Sequence, residues 1–364
     1  MKKIISKINL LSVLVLFAAF TGRTWSAVEV DSNKEWERVL DLRGQWKFEL
    51  GDNMKWSLPT FDDSDWDNIF VPSPWENEGF PGYDGFAWYR IHFDFTEQMK
   101  RHNLYLRLGF IDDVDEVYVN GRFLGYKGTF PPNNATAYQQ ERIYYLPLDF
   151  LNNTGDNVIA VRVYDRYNIG GIVKGVIGIY QRNSYLNPEY DLSGIWKFKK
   201  GDETEWEEEN YNDSDWEDVY VPSFWAAYGL KDYDGYAWYR KTFIIPANLK
   251  DERLILLLGK IDDLDETYLN GHKIGQTGKI YDNPDRINIG DVAFSQDRAY
   301  TIPSSYLNEN GVNQLAVRVY DGLLHGGIYD GPIGLVTREQ YMDWQRKFDR
   351  DDNIKHFFMH LFNN

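Results

Sequence analysis

Residues 111–124 read Ile111-Asp112-Asp113-Val114-Asp115-Glu116-Val117-Tyr118-Val119-Asn120-Gly121-Arg122-Phe123-Leu124. Val117 to Leu124 is a β-hairpin by its chemistry, because Asn-Gly supplies the two positive-φ positions of a type I′ turn. The period of two continues on either side. Leu104-Tyr105-Leu106-Arg107-Leu108 and Val158-Ile159-Ala160-Val161-Arg162-Val163 read as half-buried strands, with Arg107 and Arg162 opposite the branched aliphatics. Helical periodicity is almost absent before residue 338. Beyond it, Tyr341, Trp344, Phe348 and Ile354 fall on one face of a helix that would pack back on what precedes it. Short strands, frequent turns and no crossover helices predict an all-β protein built as an antiparallel sandwich, a jelly roll.

The opening stretch occurs twice. Ile111-Asp112-Asp113 and Asn120-Gly121 return 150 positions later as Ile261-Asp262-Asp263 and Asn270-Gly271. The same offset carries Asp41-Leu42, Gly44 and Trp46-Lys47-Phe48 onto Asp191-Leu192, Gly194 and Trp196-Lys197-Phe198. It also carries Tyr83-Asp84-Gly85 and Ala87-Trp88-Tyr89-Arg90 onto Tyr233-Asp234-Gly235 and Ala237-Trp238-Tyr239-Arg240. After Gly128 and Gly278 the offset becomes 156, matching Val161-Arg162-Val163-Tyr164-Asp165 to Val317-Arg318-Val319-Tyr320-Asp321, so the second copy has 156 − 150 = 6 more residues in one loop. A repeat of this length is a whole domain. The expected division is a signal peptide over 1–26, domains over 27–183 and 184–338, and a helical tail over 339–364.

Lys2 and Lys3 followed by the apolar run Ile8 to Phe20 and the small polar stretch Thr21 to Ser26 read as a secretory signal peptide cut after Ser26. The protein is therefore expected in the periplasm or outside the cell, with no membrane span in the mature chain. With no cysteine in the sequence, lipidation at cysteine and disulfides are both excluded. A net charge of −17 makes nucleic acid and anionic polysaccharide poor partners, since both are held by clustered Lys and Arg. A neutral ligand fits better. Aromatic residues make up 16% of the chain, which supplies many flat apolar faces with polar edges, most of them destined for the core.

Several ordered segments now support a resemblance. Val71-Pro72 with Trp75, Gly85-Phe86-Ala87-Trp88-Tyr89-Arg90, Ile111 to Gly121, and Asn157 with Val161-Arg162-Val163 resemble the jelly-roll, galactose-binding-like sugar-binding domain found N-terminally in glycoside hydrolase family 2 enzymes such as beta-galactosidases. The same type of domain is attached to some sialate O-acetylesterases. In the family 2 enzymes the resemblance implies a following immunoglobulin-like sandwich and a barrel with two catalytic glutamates. Hydrolysis of a glycoside needs two carboxylates about 5–9.5 Å apart on a rigid frame. No such frame is legible in this chain. Glu78 and Glu309 follow Asn residues, as the acid/base glutamate does in those enzymes, but sit in turn-like contexts. No Gly-x-Ser-x-Gly elbow or phosphate-binding glycine loop occurs, and His356 and His360 lack the glutamate of a zinc-protease motif. The expectation is therefore no catalytic residue in this chain.

Sugar recognition needs an aromatic face for the C–H side of a pyranose and planar polar groups for its hydroxyls. Trp75, Tyr83, Asp84, Trp88 and Arg90 are the first candidates, with Trp225, Tyr233, Asp234, Trp238 and Arg240 as their copies. Core and register roles are the alternative for the Trp-Tyr-Arg strand. A second region is the loop after the last long strand, where Asp165 and Arg166, or Asp321 and His325, precede a Gly-Gly pair that admits a ligand or a neighbouring backbone. An ion pair is the structural alternative there. Two acidic runs, Asp62-Asp63-Ser64-Asp65 and Asp112-Asp113-Val114-Asp115, suggest a structural Ca²⁺, although Asp and Ser also form turns. No other cofactor is expected.

Three functions follow as expectations. The leading one is an exported, non-catalytic protein binding neutral oligo- or polysaccharide with two domains, in support of glycan degradation or uptake. The second is a glycoside hydrolase or carbohydrate esterase accessory chain acting with a partner. The third is a structural adaptor docked on a barrel enzyme.

Overall fold

The computed structural model describes residues 35–347 apart from 101–102, 134, 232, 281–292 and 323–324. The expected signal peptide, Phe348, Ile354, His356 and His360 lie outside the described residues. Strands β1 (Trp36–Asp41), β2 (Gly44–Leu50), β3 (Asp67–Val71), β4 (Gly85–Asp94), β5 (Leu104–Asp112), β6 (Val114–Val119), β7 (Arg122–Lys127), β8 (Glu141–Tyr145), β9 (Asp156–Asp165) and β10 (Gly171–Arg182) form two antiparallel sheets. Their orders are β1-β10-β5-β8 and β3-β2-β4-β9-β6-β7. The second half repeats this with β11 (Tyr190–Asp191), β12 (Gly194–Lys200), β13 (Glu217–Val221), β14 (Gly235–Ile244), β15 (Leu254–Ile261), β16 (Leu264–Leu269), β17 (His272–Thr277), β18 (Asp297–Thr301), β19 (Val312–Asp321) and β20 (Ile328–Thr337). Its sheets run β11-β20-β15-β18 and β13-β12-β14-β19-β16-β17. The described residues are all-β, with one short α-helix over 338–347.

Local chemistry accounts for the turns. Asn120 and Gly121 sit at φ 51° and 79° between β6 and β7, and Asn270 and Gly271 at 49° and 76° between β16 and β17, as a type I′ hairpin requires. The Asn120 side chain is anchored as well: its Nδ2 donates to Phe150 O and Asn157 Oδ1, and its Oδ1 accepts from Val158 N.

Each sandwich buries apolar side chains between its sheets, among them Trp46, Phe48, Tyr89, Leu106, Val161 and Ile179 in the first and Trp196, Phe198, Tyr239, Leu256, Val317 and Leu335 in the second. A smaller cluster lies on the outer face of each six-stranded sheet, with Trp66, Trp88 and Tyr118 at its centre in the first copy and Trp206, Trp216 and Trp238 in the second. Strand alternation explains both at once. Ala87 and Tyr89 point into the sandwich, while Trp88 joins the outer cluster and the segment 54–66 covers it.

The halves pack head to tail. Lys231 Nζ donates to Glu116 Oε1 at 2.9 Å and lies over the Tyr126 ring, and Tyr126 meets the rings of Phe224 and His325. Tyr105 Oη donates to Asp330 Oδ1 at 2.8 Å, and Asn103 Nδ2 to Asn187 Oδ1 at 2.6 Å. At the repeat offsets, Phe224, Lys231 and His325 correspond to Pro74, Pro81 and Ile169 in the first copy, where Pro81 and Ile169 are exposed. The two copies have diverged where one receives the other. Tyr341 and Trp344 of the terminal helix pack as the sequence predicts: Tyr341 rests on the Ile255-Leu257-Val336 patch, and Trp344 Nε1 donates to Ser184 O.

Candidate functional site

The structure sets most of the aromatic candidates into the core. Trp75, Trp88, Trp225 and Trp238 are fully buried, and a ring packed on both faces offers neither to a pyranose. Their indole N–H groups are also taken, donating to Tyr83 O, Asp52 Oδ1, Tyr239 Oη and Asp202 Oδ1 respectively. Arg90 is a buried peg that holds the 54–66 segment down, donating to Asp63 Oδ2 and to the carbonyls of Trp56, Leu58 and Phe61. Arg240 repeats the arrangement with Asp213, Trp206, Glu208 and Tyr211. Tyr83 and Tyr233 are half-buried and spend their hydroxyls on the Phe86 and Tyr236 carbonyls, leaving Asp84 and Asp234 as the exposed polar groups of those turns.

The Gly-Gly pair also has a packing reason. A Cβ on Gly170 would lie 2.2 Å from the Trp75 ring, and one on Gly171 2.1 Å from Tyr89 Oη. Close approach is required here, but by the protein's own side chains. In the second copy His325 sits in the contact between the halves, with Nδ1 against Tyr126 Oη, and burial pushes its pKa down to about 4, assisted by the charges of Lys127 and Lys231.

The two candidate regions meet at one end of the six-stranded sheet. Gly85 of β4 pairs with Asp165 of β9, so the turn bearing Asp84 and the loop 165–171 are neighbours. In the first copy that loop is open: Arg166, Tyr167, Asn168 and Ile169 are exposed, Tyr167 by 58%. Beside it is a cleft of about 130 Å³ lined by Asp113, Val114, Thr129, Thr136, Tyr164, Arg166 and Tyr167. Thr136 Oγ1 donates to Asp113 Oδ1 at 2.5 Å, and Arg166 N donates to Asp113 Oδ2 at 3.0 Å. The Arg166 guanidinium lies over the Tyr167 ring at 4.8 Å, and no ion pair joins it to Asp165 among the described residues. Tyr138, 48% exposed, stands on the neighbouring 135–138 segment.

Of these lining residues the sequence singled out Asp113 and Arg166. Tyr167 lay within the flagged loop but was not named, and Thr129, Thr136 and Tyr138 belong to the segment where the two copies diverge.

Under the cleft, Asp112, Asp113 and Asp165 converge, each offering a carboxylate oxygen within 4.8 Å of the others. Burial, with hydrogen bonding and repulsion from Asp113, pushes Asp112 up to about 7. Burial and the charges of Asp113, Asp112 and Asp84 push Asp165 up to about 7, against the hydrogen bond it accepts from Tyr167 N. The other acidic positions are committed elsewhere. Asp115 is wholly buried and accepts from Arg142 Nε at 2.7 Å and Tyr144 Oη at 2.5 Å. Asp63 is taken by Arg90 and His92, and Asp62 Oδ1 accepts from Ser64 N in a turn. The 62–65 run is thus an arginine clamp and a turn, and of the 112–115 run Asp112 and Asp113 converge with Asp165, with Asp113 the one of the three that lines the cleft. Glu78 Oε2 accepts from Phe70 N, and Glu309 lies in a turn of the other half, so these two do not form a facing pair.

Residues 50–166 match the domain family described as the beta-galactosidase second all-beta domain. The chain contains a glycoside hydrolase family 2-like all-β domain. A beta-glucuronidase of Paenibacillus borealis is 30% identical over 175 residues, covering 46% of this chain and 28% of that protein. A beta-galactosidase of Bacteroides ovatus is 27% identical over 161 residues, covering 40% of this chain and 18% of its own length. The chain therefore spans less than a third of either relative. The crystal structure of a Bacteroides uniformis beta-glucuronidase aligns with 78% of this chain and 28% of its own at 16% identity and a TM-score of 0.35. No helix among the described residues is long and apolar enough to cross a membrane.

Proposed function

We propose that this chain is an exported, non-catalytic carbohydrate-binding protein that recognises a neutral glycan through the first domain, in support of polysaccharide breakdown or uptake. The observation that carries the reading is the open cleft beside loop 165–171. It combines an exposed aromatic ring at Tyr167 with carboxylate, hydroxyl and guanidinium groups at Asp113, Thr129, Thr136 and Arg166. A pyranose needs that pairing of a flat apolar face with planar and hydroxyl partners. The matching loop of the second domain has His325 packed against the first domain, which favours one site per chain over a bivalent arrangement. The relatives' activity on glycosides gives the ligand class its context.

A glycan array probed with the signal-free protein, followed by calorimetry on any neutral hit, tests this. Tyr167→Ala with Arg166→Ala is expected to weaken binding at least about tenfold, the range of one lost aromatic or charged contact. Tyr233→Ala with Asp234→Ala is expected to leave it unchanged. No binding by folded protein, or binding insensitive to the first pair and lost with the second, refutes the proposal.

A further inference from the structure

We propose that Asp112, Asp113 and Asp165 form a calcium site in the first domain, and that the second domain lacks its counterpart. Three carboxylate oxygens within 4.8 Å of one another fit inside the span of about 5 Å that two oxygens bound at 2.3–2.6 Å to one calcium ion can cover. Proximity of acids alone would not suffice. The second observation is Asp165 itself: the residue is wholly buried, Oδ1 accepts from Tyr167 N at 3.2 Å, and Oδ2 has no hydrogen-bond partner. A buried carboxylate oxygen left without a donor costs free energy unless a cation or proton satisfies it. Among the described residues no Lys or Arg side chain pairs with any of the three. Arg142 gives its Nε to Asp115 and its Nη2 to Asp113 O, and acts on Asp112 through its charge without pairing with it.

The ligand set is all oxygen and its members come from the end of β5, the β5–β6 junction and the end of β9, so a bound ion would tie two strands of different sheets together. Calcium tolerates such an irregular cage, whereas magnesium demands a tighter octahedron. In the second domain the equivalent residues Asp262, Asp263 and Asp321 do not converge in the same way. Asp262 is buried against the first domain's side of the interface, where it feels Lys127, and Asp263 hydrogen-bonds with Asp321. Among the described residues the trio in the first domain is the one group so placed.

The test needs no sugar, so its outcome is separate from that of the glycan experiment. The purified chain is stripped with chelator and titrated with calcium chloride by calorimetry, and its thermal midpoint is read with and without calcium. One ion per chain and a higher midpoint in calcium are expected. Asp165→Asn, nearly the same shape without the charge, is expected to weaken uptake about a hundredfold or more, because affinity follows the count of ligand charges. Asp321→Asn is expected to bind like the unaltered chain. Should Asp165→Asn fail to fold, Asp112→Asn at the half-exposed strand end carries the same expectation. No uptake at about 10 mM calcium, beyond the weakest extracellular sites, overturns the proposal. So does uptake that survives the altered ligand, or a stoichiometry of two.

Discussion

Acidification should loosen the contact between the two halves through one residue, His325. Its ring lies between Tyr126 of the first half and Phe224 of the second, with centroid distances of 4.6 and 5.8 Å. Burial, with repulsion from Lys127 and Lys231, holds its pKa near 4 against an ordinary 6.5. The unfolded chain therefore takes up a proton near pH 6.5 that the folded chain refuses until about 4. Stability linked to this group is fully present above pH 6.5 and is lost as the pH falls through 4. At about 1.4 kcal/mol per pH unit the gap amounts to about 3 kcal/mol, of which about 2 kcal/mol has gone by pH 5. Urea unfolding followed by tryptophan fluorescence at pH 7.5 and pH 5.0 measures the loss, and His325→Gln supplies the reference for every other titrating group. The unaltered chain should lose about 2 kcal/mol more than the variant over that interval. A histidine proton resonance titrating near 6.5 for His325, or equal pH dependence in the two proteins, would refute the reasoning.

Two stability predictions come from the core. Arg142→Met should cost about 3–5 kcal/mol because it leaves Asp115 buried without its cation, and adding Asp115→Leu should recover much of the loss; thermal denaturation of the three variants decides it. Gly170→Ala should cost about 1–3 kcal/mol, since its methyl would meet the Trp75 ring at 2.2 Å, and an unchanged midpoint in chemical denaturation would show that the ring can yield.

Local chemistry in the chain was enough to establish the duplication, the strands and the hairpins. Alternation in Leu104–Leu108 and Val158–Val163 and the Asn-Gly pairs act between residues close in sequence, so they can be read without knowing what packs where. The roles of Trp88 and Arg90 could not be read that way. Their strand is covered on both faces, and only the return of segment 54–66 across the outer face turns a promising Trp-Tyr-Arg motif into a core ring and a clamp. Asp165 joins Asp112 and Asp113 although it lies 52 positions beyond Asp113, because β6, which starts directly after Asp113, pairs with β9 and sets Val114 opposite Tyr164. The inequality of the two copies is likewise a property of packing: Tyr167 is exposed in the first copy while His325 of the second packs on Tyr126 across the contact between the halves, which no repeat alignment displays.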